Sequence, residues 1–272
     1  MGGPETPGAT AVRDTGTPLV CCEKAARTYG SGPGAVVAVH GLNCAIPPGA
    51  RIAVVGPSGS GKSTLLHLLA GLDSPTAGRV SHPGLGGSPT DGLARHIGVI
   101  FQGPSLLPPL TAAENVALPL RIDGVGEGEA DARAVTALAS LGLEELAGRL
   151  PDELSAGQAQ RVAVARVLAR RPRLVLADEP TGQLDRETGR QVLAVLLGAA
   201  QELGAAVLVT THDPRVAREL EVRWYMADGR LIQPDESRRT SDSPGPEASD
   251  SPGPGTSGST AAPGQPRGGE RR

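Results

Sequence analysis

Short apolar runs alternate along the chain with longer segments whose apolar residues recur at helical spacing. Arg51–Val55 is a β-branched run stopped by Gly56 and Pro57, which predicts a buried strand. A leucine-rich helix is predicted from Lys62 to about Ala70, ended by Gly71. Ile97–Phe101 is a second predicted strand, and residues 112–150 have a mostly helical pattern interrupted by the glycine-rich stretch 124–128. Ser155 suits an N-cap for a helix running to about Arg171, where Pro172 stops it. Strand Leu174–Asp178, helix Arg186–Leu203, strand Ala206–Thr210 and a short helix after Pro214 follow. Asp228-Gly229 between two extended runs signals a closing hairpin. Strands alternating with helices imply an α/β fold around a largely parallel sheet covered on both faces.

The pattern fades at both ends. Residues 1–18 are rich in Gly, Pro and Thr, and from Pro234 to Arg272 the only aliphatic side chains are three alanines. Such segments bury too little surface to offset their ordering entropy, so both are expected to be disordered. That leaves one folded domain, 19–233, of a size usual for a single α/β unit.

Composition changes this picture in a few places. Twenty-six basic against 29 acidic residues give a net charge of −3, so there is no basic excess to set against a phosphate backbone, which argues against nucleic acid as a partner. Lys24 and Lys62 are the only lysines, which draws attention to the central one. Tyr29, Phe101, Trp224 and Tyr225 are the whole aromatic set, so the core must be aliphatic. Cys21, Cys22 and Cys44 have neither zinc-ligand nor disulfide-framework spacing and are expected to be small buried residues. No apolar run approaches the roughly 18 residues of a membrane span and no secretory pattern opens the chain. The expectation is a cytoplasmic protein without a membrane span of its own.

Gly56-Pro57-Ser58-Gly59-Ser60-Gly61-Lys62-Ser63 matches G-x-x-x-x-G-K-[ST], placed after a strand and opening a helix. Glycines at those positions let backbone N–H groups turn inward around a phosphate chain, and the helix N-terminus adds partial positive charge. Lys62 is then placed to reach β- and γ-phosphates, and the Ser63 hydroxyl, followed by Thr64, to bind Mg²⁺. The apolar strand Leu174–Ala177 ends in Asp178 and Glu179. Asp178 is expected to hold the cation, and Glu179 to orient or deprotonate an attacking water. A P-loop alone does not separate kinases, GTPases and ATPase motors.

Leu154-Ser155-Ala156-Gly157-Gln158, followed by Gln160-Arg161-Val162-Ala163 and the acidic strand, resembles the signature of ABC-type ATPases. Gln102 after Phe101 resembles the Q-loop, Leu184-Asp185 the D-loop, and His212 after Thr210-Thr211 the switch histidine. Tyr29 lies where this family puts an aromatic ring against adenine. The resemblance covers residues 19–233. It implies a P-loop NTPase (RecA-like) core with a parallel sheet, an antiparallel β subdomain and a helical signature subdomain at about 103–170. It also implies ATP and Mg²⁺ as ligands, with Ser63, Gln102 and Asp178 around the cation and Glu179, His212 and Gln102 as the catalytic set. ATP would be sandwiched in a homodimer, contacted from the second copy by Ser155, Ala156, Gly157, Gln158 and Asp185. A separate transmembrane permease would hold the protein peripherally at the inner face of the membrane.

Leu65–Leu72 with Asp73–Gly78, the run Phe101–Pro108 and Thr181–Asp185 resemble the exporter branch that includes macrolide-export and lipoprotein-release ATPases. The same machinery also serves soluble members acting on ribosomes or in DNA repair, and members that regulate a membrane or cell-wall complex without moving a solute. The family usually has Gly where this chain has Ala156. A positive φ there would cost Ala on the order of 1–2 kcal/mol, whereas a negative φ would tolerate it, and the second case is expected. Ser81–Asp91 is shorter and richer in Gly and Pro than the family's hairpin and connector.

Overall fold

Nine strands and seven α-helices succeed one another in residues 16–86 and 92–232, the part of the chain that the computed structural model describes. The strands are β1 (Val20–Tyr29), β2 (Val36–Ile46), β3 (Arg51–Val55), β4 (Ala77–Ser81), β5 (Ile97–Ile100), β6 (Leu174–Asp178), β7 (Ala206–Thr211), β8 (Val222–Ala227) and β9 (Arg230–Ile232). The helices are α1 (Lys62–Leu69), α2 (Leu93–His96), α3 (Ala112–Ile122), α4 (Glu127–Ala139), α5 (Ala156–Leu168), α6 (Arg186–Glu202) and α7 (Pro214–Arg218). Of the segments expected to be disordered, 1–18 and 234–272, residues 1–15 and all of the second lie outside the described residues, as do residue 233 and residues 87–91 of the short connector.

Six strands form one sheet in the order β5-β6-β7-β3-β8-β9, parallel except for the last pair. The antiparallel edge is the expected hairpin, turned by Asp228 and Gly229 with φ of 47° and 69°. A smaller antiparallel sheet has the order β2-β1-β4. Cys22 and Cys44 face each other across it, both buried and unbridged, in keeping with small core residues.

Except at their ends, where Arg51, Asp178, Thr210 and Thr211 lie, the central strands β3, β6 and β7 are apolar because successive side chains point to opposite faces and both faces are covered. Val175, Ala177, Val207, Val209 and Ala53 join one core, which continues without a break into α3, α4, α5 and α6. Leu174, Leu176, Leu208, Ile52 and Val54 join a second core, with the α1 leucines and the inner face of the small sheet. The sheet is thus clamped between helices on one side and α1 plus the antiparallel sheet on the other.

This order aligns the carboxyl ends of three adjacent parallel strands. Asp178 at the end of β6 pairs with Thr210 of β7, and Thr211 pairs with Val55 at the end of β3. In open α/β sheets the crevice outside the carboxyl ends is where ligands bind. Here it receives the P-loop after β3, Asp178 and Glu179 at the end of β6, and His212 after β7. Among the described residues no helix is long and apolar enough to cross a membrane.

Candidate active site

The turn from β3 into α1 is shaped by two glycines that admit no side chain. A Cβ on Gly56 would lie 2.1 Å from the carbonyl oxygen of Met226, and one on Gly61 would lie 2.3 Å from that of Ala38. Gly61 also has φ 97°, in the left-handed region, and is the N-cap of α1. The first turn of α1 has N–H groups without helical acceptors. Lys62, Ser63 and Thr64 of that turn line a cleft of about 330 Å³ together with Ser58, Gly59, Gly61, Gln102, Asp178, Glu179 and Ala38.

Lys62 is only 5% exposed, and its ammonium is fully engaged. Nζ donates to the carbonyl oxygens of Gly56 at 2.9 Å and Pro57 at 3.0 Å, and lies 3.3 Å from Glu179 Oε1. An ammonium has three donors, and three acceptors meet them. Burial of such a charge is tolerated only with partners of this kind. The lysine is folded back into its own loop, at the place where the loop would wrap a phosphate.

Glu179 is gripped from the other side by His212, whose Nδ1 lies 3.1 Å from Oε2. A carboxylate oxygen only accepts, so this contact is a hydrogen bond donated by Nδ1. The glutamate backbone is left-handed, φ 43°, which costs a residue with a Cβ about 1–2 kcal/mol. Its N–H is held by Thr210, at 3.1 Å from both the backbone oxygen and Oγ1. Gly182 adjoins the same corner, where a Cβ would make ordinary contacts of 3.4 Å to Glu179 Oε2 and 3.6 Å to Gln102 Nε2.

The loop carrying Gln102 is tied to α5. Gln160, 2% exposed, donates to the carbonyl oxygen of Phe101 at 3.4 Å. Arg166 donates to the carbonyl oxygens of Ser105 at 2.8 Å and Pro104 at 3.2 Å, and burial lowers its pKa. Asn115, with no exposed surface, ties down the next stretch by accepting from Leu107 N–H and donating to the carbonyls of Leu107, Leu110 and Thr111.

Of the residues expected in the site, Ser58, Gly59, Gly61, Lys62, Ser63, Thr64, Gln102, Asp178 and Glu179 converge on the one cleft. Gly56 and Pro57 contribute their carbonyls to Lys62 but do not line it, and Ser60 is buried beneath the loop. His212 touches the cleft through Glu179. Tyr29 is not among the lining residues; its hydroxyl donates to Asp73 Oδ2 at 2.9 Å and its ring lies 4.7 Å from the Arg27 guanidinium.

Ser155, Ala156, Gly157, Gln158 and Asp185 do not line the cleft either. Ser155 caps α5 in a reciprocal box with Gln158, at 3.3 Å and 2.9 Å. Ala156 is the first residue of that helix and is not among the residues of positive φ, as expected from its identity. Gly157 is where α5 meets α6: a Cβ would come within 2.2 Å of Thr188 Cγ2. Asp185 caps α6, accepting from the N–H groups of Glu187 and Thr188 at 3.1 Å each. Ala38 and Arg166 are participants outside every motif, and Thr210 and Gln160, which flank motifs, carried no assigned role in the sequence.

Residues 39–182 match the family model described as ABC transporter, just over half of the chain. The chain belongs to the ABC transporter family. It is 44% identical over 221 residues to the lipoprotein-releasing system ATP-binding protein LolD of Chromohalobacter salexigens, covering 79% of this chain and 93% of that one. Among solved structures it resembles the dimeric ATP-binding cassette MJ0796 in a post-hydrolysis state bound to ADP and Pi, with TM-score 0.71, 38% identity, and 79% and 98% of the two chains covered. The cbiO1 component of the cbiONQ ABC transporter complex from Clostridium perfringens gives TM-score 0.70 at 29% identity, covering 79% and 87%. The protein is therefore an ABC-type ATPase, and the P-loop core with its antiparallel sheet is the fold of such cassettes.

Proposed function

We propose that the chain is the ATP-hydrolysing subunit of an exporter of the lipoprotein-release kind, working as a homodimer on a separate permease at the inner face of the membrane. The observation that carries the catalytic part is the convergence of Lys62 and His212 on the two oxygens of Glu179, at 3.3 Å and 3.1 Å, at the mouth of the P-loop. When ATP enters, its β- and γ-phosphates replace the Gly56 and Pro57 carbonyls as partners of Lys62. Glu179, released from the lysine, then orients and deprotonates a water, while His212 holds the carboxylate in place.

Ser63, Gln102 and Asp178 offer oxygen donors in one cleft, the chemistry a hard cation such as Mg²⁺ selects. Among the described residues no three His, Cys, Asp or Glu side chains gather as a metal cluster, which suits an ion held by one carboxylate and the substrate's phosphates. When bound, the cation screens the phosphate charge that the incoming water must approach. The capped N-terminus of α5, with Ser155, Ala156, Gly157 and Gln158, and Asp185 at the start of α6 serve the cleft of the second copy. Tyr29, as in the family resemblance, supports the adenine. The relatives support the transporter assignment: LolD is named for lipoprotein release, and the MJ0796 cassette is dimeric.

Tagged Glu179→Gln protein, purified with ATP from detergent-solubilised membranes, tests this. The variant should bind ATP, hydrolyse it at least about 100-fold more slowly, run as a dimer, and bring a polytopic permease with it. A monomer in ATP with undiminished hydrolysis would refute the role of Glu179. A ribosomal or cell-wall partner in place of a permease would keep the ATPase and discard the transport.

A further inference from the structure

Both acidic residues of the site lean on a side chain that the sequence marks only as a flank of the switch histidine. Thr210 pairs with Asp178 in the ladder between β6 and β7, and it has no exposed surface. Its hydroxyl lies 2.5 Å from Asp178 Oδ1 and 3.1 Å from the backbone nitrogen of Glu179. The direction of each bond follows from the partners. A hydroxyl has one proton, and the carboxylate can only accept it; the backbone N–H can only donate, so it takes a lone pair of Oγ1. One buried hydroxyl thus spans two residues with different duties.

We infer that Thr210 is a positioning residue for ATP hydrolysis. By holding Oδ1, its hydroxyl fixes the rotamer of Asp178 and so which carboxylate oxygen is offered to the cation. By holding the N–H of Glu179, it pins the left-handed peptide that aims the other carboxylate between Lys62 and His212. Backbone in that region persists only where its surroundings over-determine it, and Thr210 supplies two acceptors to the same N–H, its own carbonyl and its hydroxyl. The inference rests on the roles proposed above for Asp178 and Glu179. It adds a group that touches neither nucleotide nor water and acts through both.

Valine has nearly the shape of threonine and loses both side-chain bonds, while serine keeps both and loses a methyl. Thr210→Val, Thr210→Ser and Glu179→Gln are compared in the full-length chain. The measurements are hydrolysis as a function of ATP and of Mg²⁺, equilibrium affinity for methylanthraniloyl-ADP with and without Mg²⁺, and thermal melting. Thr210→Val should lower kcat about tenfold or more with KM for ATP within about twofold. It should also raise the Mg²⁺ concentration for half-maximal turnover, and weaken nucleotide binding only when Mg²⁺ is present. Thr210→Ser should stay within about threefold of the wild type throughout.

Unchanged kcat and Mg²⁺ requirement in Thr210→Val overturn the inference. So does Thr210→Ser as impaired as Thr210→Val, which would assign the effect to the lost methyl. If Thr210→Val does not fold, Thr210→Cys, with a weaker donor of similar size, must fall below the wild type, and full activity there overturns the inference as well. Glu179→Gln separates the levels. If it too hydrolyses normally, the reading of the whole site is lost; if it is inactive while the Thr210 variants are unimpaired, only the role of Thr210 falls.

Discussion

Gly157 stands at two junctions at once, and a pair of substitutions separates them. A Cβ at this position would lie 2.2 Å from Thr188 Cγ2 on α6, where carbon–carbon contacts settle at about 3.5–4.0 Å. Overpacking of this kind costs about 1–3 kcal/mol, against a gain near 1 kcal/mol for Ala over Gly in a helix. Gly157→Ala should therefore destabilise the protein by up to about 2 kcal/mol. Thr188→Ser removes the colliding methyl and keeps the hydroxyl that bonds Asp185. In that background Gly157→Ala should be neutral or stabilising, a coupling of about 1–3 kcal/mol. Urea unfolding midpoints at unchanged m value measure it. A coupling below about 0.5 kcal/mol would refute the contact. Turnover then decides the second junction. If the Gly157 N–H opens a helix end onto the partner's phosphate, a methyl there blocks the approach, and the double variant should recover stability while staying at least about tenfold slow. Recovery of both would leave Gly157 with packing alone to do.

Ala156 tests the same helix end from the other side. It begins α5 without a positive φ, so Ala156→Gly should change ATP hydrolysis by less than about tenfold, and a larger rise would show that the alanine throttles the signature. Asp185 gives a pH dependence: hydrogen bonds from Thr188, side chain first and then backbone, and from Glu187 hold its carboxyl below the ordinary 3.8. A carboxyl lowered in the fold contributes its stability above its unfolded value and loses it as pH falls through the folded one. The stability difference between the wild type and Asp185→Asn should be full above about pH 5 and shrink steadily below 3.8, and parallel unfolding curves through that range would contradict it.

What could be read from the sequence, and what could not, divides by distance along the chain. The P-loop, the capped start of α5 and the Asp228-Gly229 turn are each built from consecutive residues, so composition and spacing carry their geometry. The strands of the large sheet were equally plain, because runs such as Leu174–Ala177 feed both cores and admit no polar residue. β1 and β2 left no such trace. Their pairing shifts register at Cys22/Ala25, Ala25/Arg27 and Arg27/Thr28, and each shift breaks the period of two that marks a half-buried strand. The groups that position the chemistry were hidden for a related reason. Arg166 reaches Ser105 across 61 residues, Gln160 reaches Phe101 across 59, and Thr210 reaches Asp178 across 32. Before folding, a threonine in an apolar strand is only a tolerated polar residue; the parallel register of β6 and β7 gives its hydroxyl a carboxylate to hold. Residues that touch nucleotide can announce themselves by type and spacing, whereas residues that aim them acquire their partners only when the sheet closes.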